Sequence, residues 1–181
     1  MGIYTCADLH GNMNLWVQIK EYLKSDDVLY FLGDAIDRGP DGFQIMQKIL
    51  DRPNTTYIRG NHEDMMMNAL EEQLRYNDNF RWAESATELW FWNGGEVTYN
   101  YIKEHNIPRE EVIKQIKNMP ILVCTEIKGN KFYFCHAGSD MSTINVFINE
   151  TNENIIEYYG HNLIWDRKHL DTKEWYGTNN E

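Results

Sequence analysis

The strongest constraint on this chain is a rhythm between Ile3 and Leu74, in which short apolar runs alternate with stretches of helical period. Ile3 to Ala7 precedes Leu15 to Leu23, Val28 to Leu32 precedes Phe43 to Leu50, and Thr55 to Arg59 precedes Met65 to Leu74. Runs of four or five apolar residues are too short for buried helices, and the longer stretches repeat at three and four residues. The pattern predicts β-α-β-α-β-α, an α/β fold on a largely parallel sheet. Ligands of such sheets collect at the carboxyl ends of the strands, and the polar clusters of this sequence fall at those ends.

From Asn77 to about Met119 the pattern turns helical and aromatic, with RWAESATELWFW, an NGG break, and a second helical start at Pro108 followed by Arg109, Glu110 and Glu111. Proline at a first helical position with acids in the first turn marks a helix start. Ile121 to Ile127 and Lys131 to Cys135 read as two strands of a tight hairpin, turning at Gly129 and Asn130 and starting a partly antiparallel second sheet. After it the chain is expected to be irregular, ending in the polar stretch TKEWYGTNNE. No linker or repeat breaks residues 1–181, so one domain is expected.

With 42% hydrophobic and 13% aromatic residues among 181, the chain can fill one core, which excludes disorder and collagen-like repeats. No apolar run approaches the roughly 20 residues of a membrane helix, and MGIYTCADLHGN lacks a basic leader, so a soluble cytoplasmic protein is expected. A formal charge of −11 repels nucleic-acid phosphates at long range. Cys6, Cys124 and Cys135 lack the close pairing of a zinc knuckle or disulfide framework and are expected to be buried free thiols.

Five clusters stand at predicted strand ends: Asp8-Leu9-His10-Gly11-Asn12, Gly33-Asp34-Ala35-Ile36-Asp37-Arg38-Gly39, Arg59-Gly60-Asn61-His62-Glu63-Asp64, His136-Ala137-Gly138 and Ile164-Trp165-Asp166-Arg167. Asp8, Asp34 and Asp37 gathered on one sheet rim repel unless they are protonated or neutralised by cations. With His10, Asn61 and His136 beside them, metal is the cheapest solution. Carboxylate, imidazole and amide donors without thiolate favour Mn2+, Mg2+, Fe or Zn2+. Gly11, Gly33, Gly39, Gly60 and Gly138 allow sharp turns and close backbone approach to a ligand.

DLHG, GDAIDRG, GNHED and HAG, in this order, resemble the signature of the phosphoprotein phosphatase family of binuclear metallophosphoesterases, and FWNGG with IWDR resembles its bacterial and phage branch. The resemblance runs from Asp8 to Arg167. It implies a layered α/β/β/α sandwich in which Asp8 and His10 hold one metal, Asp34 bridges two, and Asn61 and His136 bind the second. Two cations roughly 3.5–4 Å apart convert water to a nucleophile near neutral pH, so no covalent phosphoenzyme is needed. The resemblance further implies that His62 is the general acid, that Asp37 orients it, and that Arg38 and Arg167 clamp phosphate. Mn2+ is the metal it favours. Taken alone, Arg167 also fits a surface salt bridge.

Other residues have plainer readings. Arg59, Glu63 and Asp64 fit a local ion pair or a helix-start acid. Met65, Met66 and Met67, with Trp82, Trp90 and Trp92, fit a packing face, and Trp92 to Gly95 fit equally a groove beside the substrate. The family also supplies a further metal-binding histidine from a Gly-His turn after the tryptophan-arginine motif, which does not occur before Glu181. His161 precedes Trp165, and His169 follows it closely; both are expected to be solvated. A fragment of a longer enzyme is the favoured explanation over a shortened natural one, and an open sheet edge then predicts self-association. The implied activity is hydrolysis of phosphoserine or phosphothreonine in a phosphorylated protein substrate. The alternatives are hydrolysis of diadenosine polyphosphates or small phosphoesters, and non-catalytic phosphate or protein binding.

Overall fold

The computed structural model describes residues 1–76, 85–150 and 153–167. They form two compact units, Met1–Pro120 and Ile121–Glu181.

In the first unit, β1 (Ile3–Cys6), β2 (Val28–Phe31) and β3 (Thr55–Tyr57) form a parallel sheet in the order β1-β2-β3. Ile3 pairs with Val28 and Leu29 with Thr55, so the three strands point the same way and end together. The connections carry α1 (Met13–Tyr22) and α2 (Gly42–Leu50), with α3 (Asn61–Tyr76) following β3. Leu29 and Phe31, two apart and on one face of β2, are fully buried with Ile45, Met46 and Ile49 of α2 and Met66 and Leu70 of α3. The outer strand β1 is far less covered, with Ile3 40% and Tyr4 43% exposed.

Three expectations about α1, α2 and α3 are met, but α3 starts four residues earlier than the apolar period suggests. Its first turn holds Asn61, His62 and Glu63, which places two candidate site residues, Asn61 and His62, on a helix rather than in a loop. The unit continues with α4 (Ala86–Trp92), α5 (Glu96–Glu104) and α6 (Arg109–Lys117). Ser85 caps α4 by accepting from the Glu88 amide, and Pro108 sits at the N-cap of α6 rather than inside its first turn. Trp90 is fully buried while Trp92 is 86% exposed, so the tryptophans do not share one packing face; Trp82 lies outside the described residues.

The second unit has an antiparallel hairpin, β4 (Val123–Ile127) with β5 (Asn130–Phe134), then α7 (Met141–Asn149) and α8 (Glu153–Trp165). The hairpin turns at Lys128 and Gly129, both at positive φ (52° and 81°), and Asn130 already pairs with Ile127. This corrects the expected turn by one residue, because a two-residue turn matching strand twist needs positive φ at both centres. The irregular segment expected after Cys135 is instead two helices packed on each other. Asp140 caps α7 by accepting from the Thr143 amide at 2.7 Å. Among the described residues no helix is long and apolar enough to cross a membrane.

The cysteines are free, but not uniformly buried: Cys124 is exposed, and Cys6 and Cys135 are half-buried. Strand alternation turns Cys124 outward. Burial pushes the thiols of Cys6 and Cys135 up to about 11, so both are protonated at pH 8. A disulfide reagent at pH 8 is therefore expected to titrate Cys124 rapidly and the other two only slowly, with all three reacting at once in denaturant.

Candidate functional site

The loops after β1 and β2 are zipped together by their backbones. Asp8 N–H donates to Gly33 C=O at 3.0 Å, His10 N–H to Asp34 C=O at 3.0 Å, and Gly11 N–H to Ala35 C=O at 2.9 Å, while Gly39 N–H returns to His10 C=O at 3.0 Å. Within this zipper Asp8, His10, Asp34, Asp37 and Arg38 all adopt left-handed backbone, with φ of 57°, 43°, 61°, 69° and 64°. Such conformations cost on the order of 1–3 kcal/mol each unless short polar side chains or surrounding bonds hold them. These candidate site residues thus share the sharp turns with Gly11 and Gly33, at φ of 72° and 91°, two of the glycines expected to make them.

A third loop joins through Glu63. Its carboxylate is fully buried and accepts from Asp34 N–H (2.9 Å), Ala35 N–H (3.1 Å), Gly60 N–H (3.0 Å) and the Tyr57 hydroxyl (2.8 Å). As the third helical residue reaching back to the amide before the helix, it completes half of a capping box while pinning the neighbouring loop. Burial and the Glu63 carboxylate hold the Tyr57 phenol well above its ordinary value, so it remains a donor. Gly60 is required by close approach, since a Cβ there would lie 2.6 Å from the Asp34 amide nitrogen. Glu63 is the residue whose importance the sequence conceals; its only sequence signal is the glutamate three positions after Gly60. Arg59 pairs instead with Asp64, at 3.6 Å.

These loops bring the donors together. His10 Nε2 lies 3.8 Å from Asp8 Oδ1 and 3.8 Å from Asp34 Oδ2. One donor atom each from His10, Asp34 and His62 falls within 4.8 Å of the others. The separations of His10 from the carboxylates exceed a hydrogen bond and suit ligands sharing a cation at roughly 2.0–2.2 Å from each. His10 Nδ1 is 3.1 Å from the Ile36 carbonyl, which accepts its proton and leaves the Nε2 lone pair facing the carboxylates. Burial holds the His10 imidazole below its ordinary value, against the opposing pull of the Ile36 hydrogen bond, so the ring is neutral as a ligand must be. The donor set therefore fits a hard or borderline divalent ion.

His62 is buried beside this cluster. Its backbone N–H donates to Asp34 Oδ1 at 3.0 Å, its Nδ1 meets Asp37 Oδ2 at 2.7 Å, and Arg38 Nη2 meets its Nε2 at 3.0 Å. Because guanidinium only donates, Nε2 accepts here and Nδ1 gives its proton to Asp37. Asn61 opens α3 and is buried at the same edge. The first unit thus gathers Asp8, His10, Asp34, Asp37, Arg38, Asn61 and His62.

His136 and Arg167 belong to the second unit. His136 follows β5 and is half-buried, and Arg167 follows α8 and is exposed. Within that unit the two motifs are neighbours, since Ala137 N–H donates to Leu163 C=O at 2.9 Å. His161 is exposed and stacks on Trp165 at 5.8 Å, as a solvated histidine would, and His169 lies outside the described residues.

Comparison with known proteins points the same way. The model of the calcineurin-like phosphoesterase family matches residues 1–179. Serine/threonine-protein phosphatase 1 of Salmonella typhimurium strain LT2 is 26% identical over 144 residues, covering 78% of this chain and 61% of that protein. The symmetrical bis(5'-nucleosyl)-tetraphosphatase of Nitrosospira multiformis is 25% identical over 150 residues, covering 75% of this chain and 54% of its own. Among solved structures, that of a cold-active protein tyrosine phosphatase aligns at a TM-score of 0.50 with 16% identity, covering 94% of this chain and 50% of the other, a likeness of fold. The chain thus spans between half and two thirds of the length of these proteins.

Glu63→Gln replaces one acceptor oxygen with a donor and orphans at least one buried N–H or O–H. The expected loss in unfolding free energy by chemical denaturation is about 2–4 kcal/mol. Calorimetry should also show weaker Mn2+ binding, because Asp34 is released with its backbone amide.

Proposed function

The chain belongs to the calcineurin-like phosphoesterase family, and from that premise we propose that it is a metal-dependent phosphomonoester hydrolase acting on phosphoserine or phosphothreonine in proteins. The observation that carries the reading is His62, held by Asp37 at 2.7 Å and Arg38 at 3.0 Å and abutting the donors of His10 and Asp34. Proton donor, phosphate clamp and metal ligands are side by side, which is the set that phosphoryl transfer needs.

Asp8, His10 and Asp34 would hold one divalent ion, and Asp34 and Asn61 would contribute to a second. Mn2+ is the first choice, with Fe, Zn2+ or Mg2+ suited to the same donors. When bound, such ions supply positive charge for the phosphoryl oxygens and lower the pKa of water toward neutrality. Arg38 presents a fork that meets two phosphate oxygens at once. In the resting arrangement that fork sits on His62 Nε2, so an arriving phosphate draws the guanidinium away and frees this nitrogen. Freed of Arg38, His62 Nε2 would take up a proton from water and pass it to the departing alkoxide, while Asp37 keeps the ring in register and stabilises the positive charge it carries in between. The roles that the family resemblance gives His136 and Arg167 are part of the same proposal.

The protein-phosphatase preference is supported by the name of the Salmonella relative and the polyphosphate alternative by that of the Nitrosospira relative. Turnover of a phosphoserine peptide exceeding that of diadenosine tetraphosphate at least tenfold is expected, and the opposite order would favour the polyphosphatase.

His62→Asn should lower kcat by about two to four orders of magnitude while metal content by elemental analysis stays near that of the parent. Asp34→Asn should lose metal and turnover together. Normal metal with full activity in the second variant would overturn the assigned roles.

A further inference from the structure

The Asp37 carboxylate is fully buried, and a buried carboxylate must be met by donors. Three reach it, from two directions. On Oδ2 it accepts from His62 Nδ1 at 2.7 Å and from the Trp90 indole N–H at 2.9 Å. On Oδ1 it accepts from the Thr98 hydroxyl at 2.7 Å. The Thr98 oxygen in turn accepts from the Asp37 backbone N–H at 3.1 Å. That bond fixes which way the hydroxyl proton points: the amide takes the oxygen's lone pair, and the proton is left for Oδ1. Asp37 is thereby held at main chain and side chain by one residue 61 positions away.

The same stretch of chain holds the next residue. Arg38 N–H donates to the Gly94 carbonyl at 3.0 Å. Gly94 lies at φ +92°, and a Cβ on it would press on Arg38 Cγ at 3.0 Å and on Arg38 N at 3.2 Å. Two successive left-handed residues, Asp37 and Arg38, are therefore stabilised from α5 and from the turn before it. Trp90 is fully buried and Thr98 is 2% exposed, so neither bond competes with water.

We propose that Trp90 and Thr98 are positioning residues of the reaction, locking the rotation of the Asp37 carboxylate and through it aiming the His62 ring at the leaving group. This rests on reading His62 as the proton donor. Neither residue touches the substrate. Trp90 also packs against Phe91 and Tyr99, with ring centroids at 5.7 and 6.3 Å, so a purely structural role is the alternative to be separated.

The test uses the full chain with Mn2+ and two aryl phosphates of one size class, phenyl phosphate with a poor leaving group and 2,4-dinitrophenyl phosphate with a good one. Only the poor one needs a well-aimed acid. Thr98→Val keeps the side-chain shape and removes the hydroxyl; Trp90→Phe keeps a ring and removes the N–H. Each is expected to lower kcat on phenyl phosphate about tenfold or more, to change kcat on the dinitrophenyl ester less than about twofold, and to leave KM unchanged. Thr98→Ser restores the hydroxyl and is expected to return phenyl phosphate turnover to within about twofold. Equal losses on both esters, or no rescue by serine, would overturn the proposal.

A second measurement needs neither metal nor turnover. In the metal-free protein the His62 Nδ1 proton, bonded to a buried carboxylate, should give a low-field NMR signal. Thr98→Val and Trp90→Phe are expected to shift it upfield or broaden it while the melting profile stays cooperative, and an unmoved signal overturns the lock. A leaving-group dependence left intact by His62→Asn overturns the proton-donor reading instead, and the NMR signal then decides the lock by itself.

Discussion

The site depends on one buried carboxylate with no part in the chemistry. Glu63 gathers two backbone amides from the loop after β2, one from the turn before α3, and a phenol from β3. A buried charge is costly, and four donors around it are what make the burial stable. Because those donors come from different strand ends, the charge can be satisfied only when the loops are in place together. Satisfying it therefore also places Asp34, whose own amide is one of the four donors and whose Oδ1 accepts from His62 N–H. The parallel sheet brings the loops to one rim, and Glu63 ties the loop after β2 to the turn before α3.

Rigidity at this rim has a second source in the left-handed residues. Five candidate site residues sit where the backbone is disfavoured, and the zipper between the first two loops keeps them there. Aspartate and histidine tolerate such conformations better than most residues, and Arg38 does so with its amide tied to Gly94. Strain stored this way is tolerable only on a scaffold whose core is well filled, which the fully buried Leu29, Phe31, Ile45, Met46 and Ile49 provide. A loosened core would let the turns relax and the donors drift apart.

Much of this is legible in the sequence because the relevant signals are local. The alternation of apolar runs locates β1 to β3, and Asp8, His10, Asp34, Asn61 and His62 each sit within a short motif next to a strand end. What the sequence hides is long-range or conformational. Glu63 resembles a helix-start acid because two of its partners lie 28 and 29 positions away, and Thr98 carries no signal at all, since its partner is 61 positions distant. α7 is obscured because MSTINVFIN is rich in β-branched residues and asparagine, which are poor helix formers, and only Asp140 as an N-cap announces it. The hairpin turn lies one residue earlier than its composition suggests because Lys128, an unusual choice for positive φ, takes a place that Asn130 suits better.

Electrostatics then decides what such a rim can bind. Asp8, Asp34 and Asp37 put carboxylates on the loops that follow two neighbouring strands, in a chain of formal charge −11. A phosphate approaching a single carboxylate at 4 Å meets roughly 4 kcal/mol of repulsion at an effective dielectric constant of about 20. Asp37 is buried with its oxygens taken by donors on His62, Trp90 and Thr98, which leaves Asp8 and Asp34 as the carboxylates a phosphate would face. Arg38 contributes one positive charge against those two, too little to invert the local field. Divalent ions on His10, Asp8 and Asp34 would invert it, turning a rim that repels phosphate into one that attracts it. The same carboxylates that would bar a phosphate from the bare protein are thus the reason a loaded site would select one.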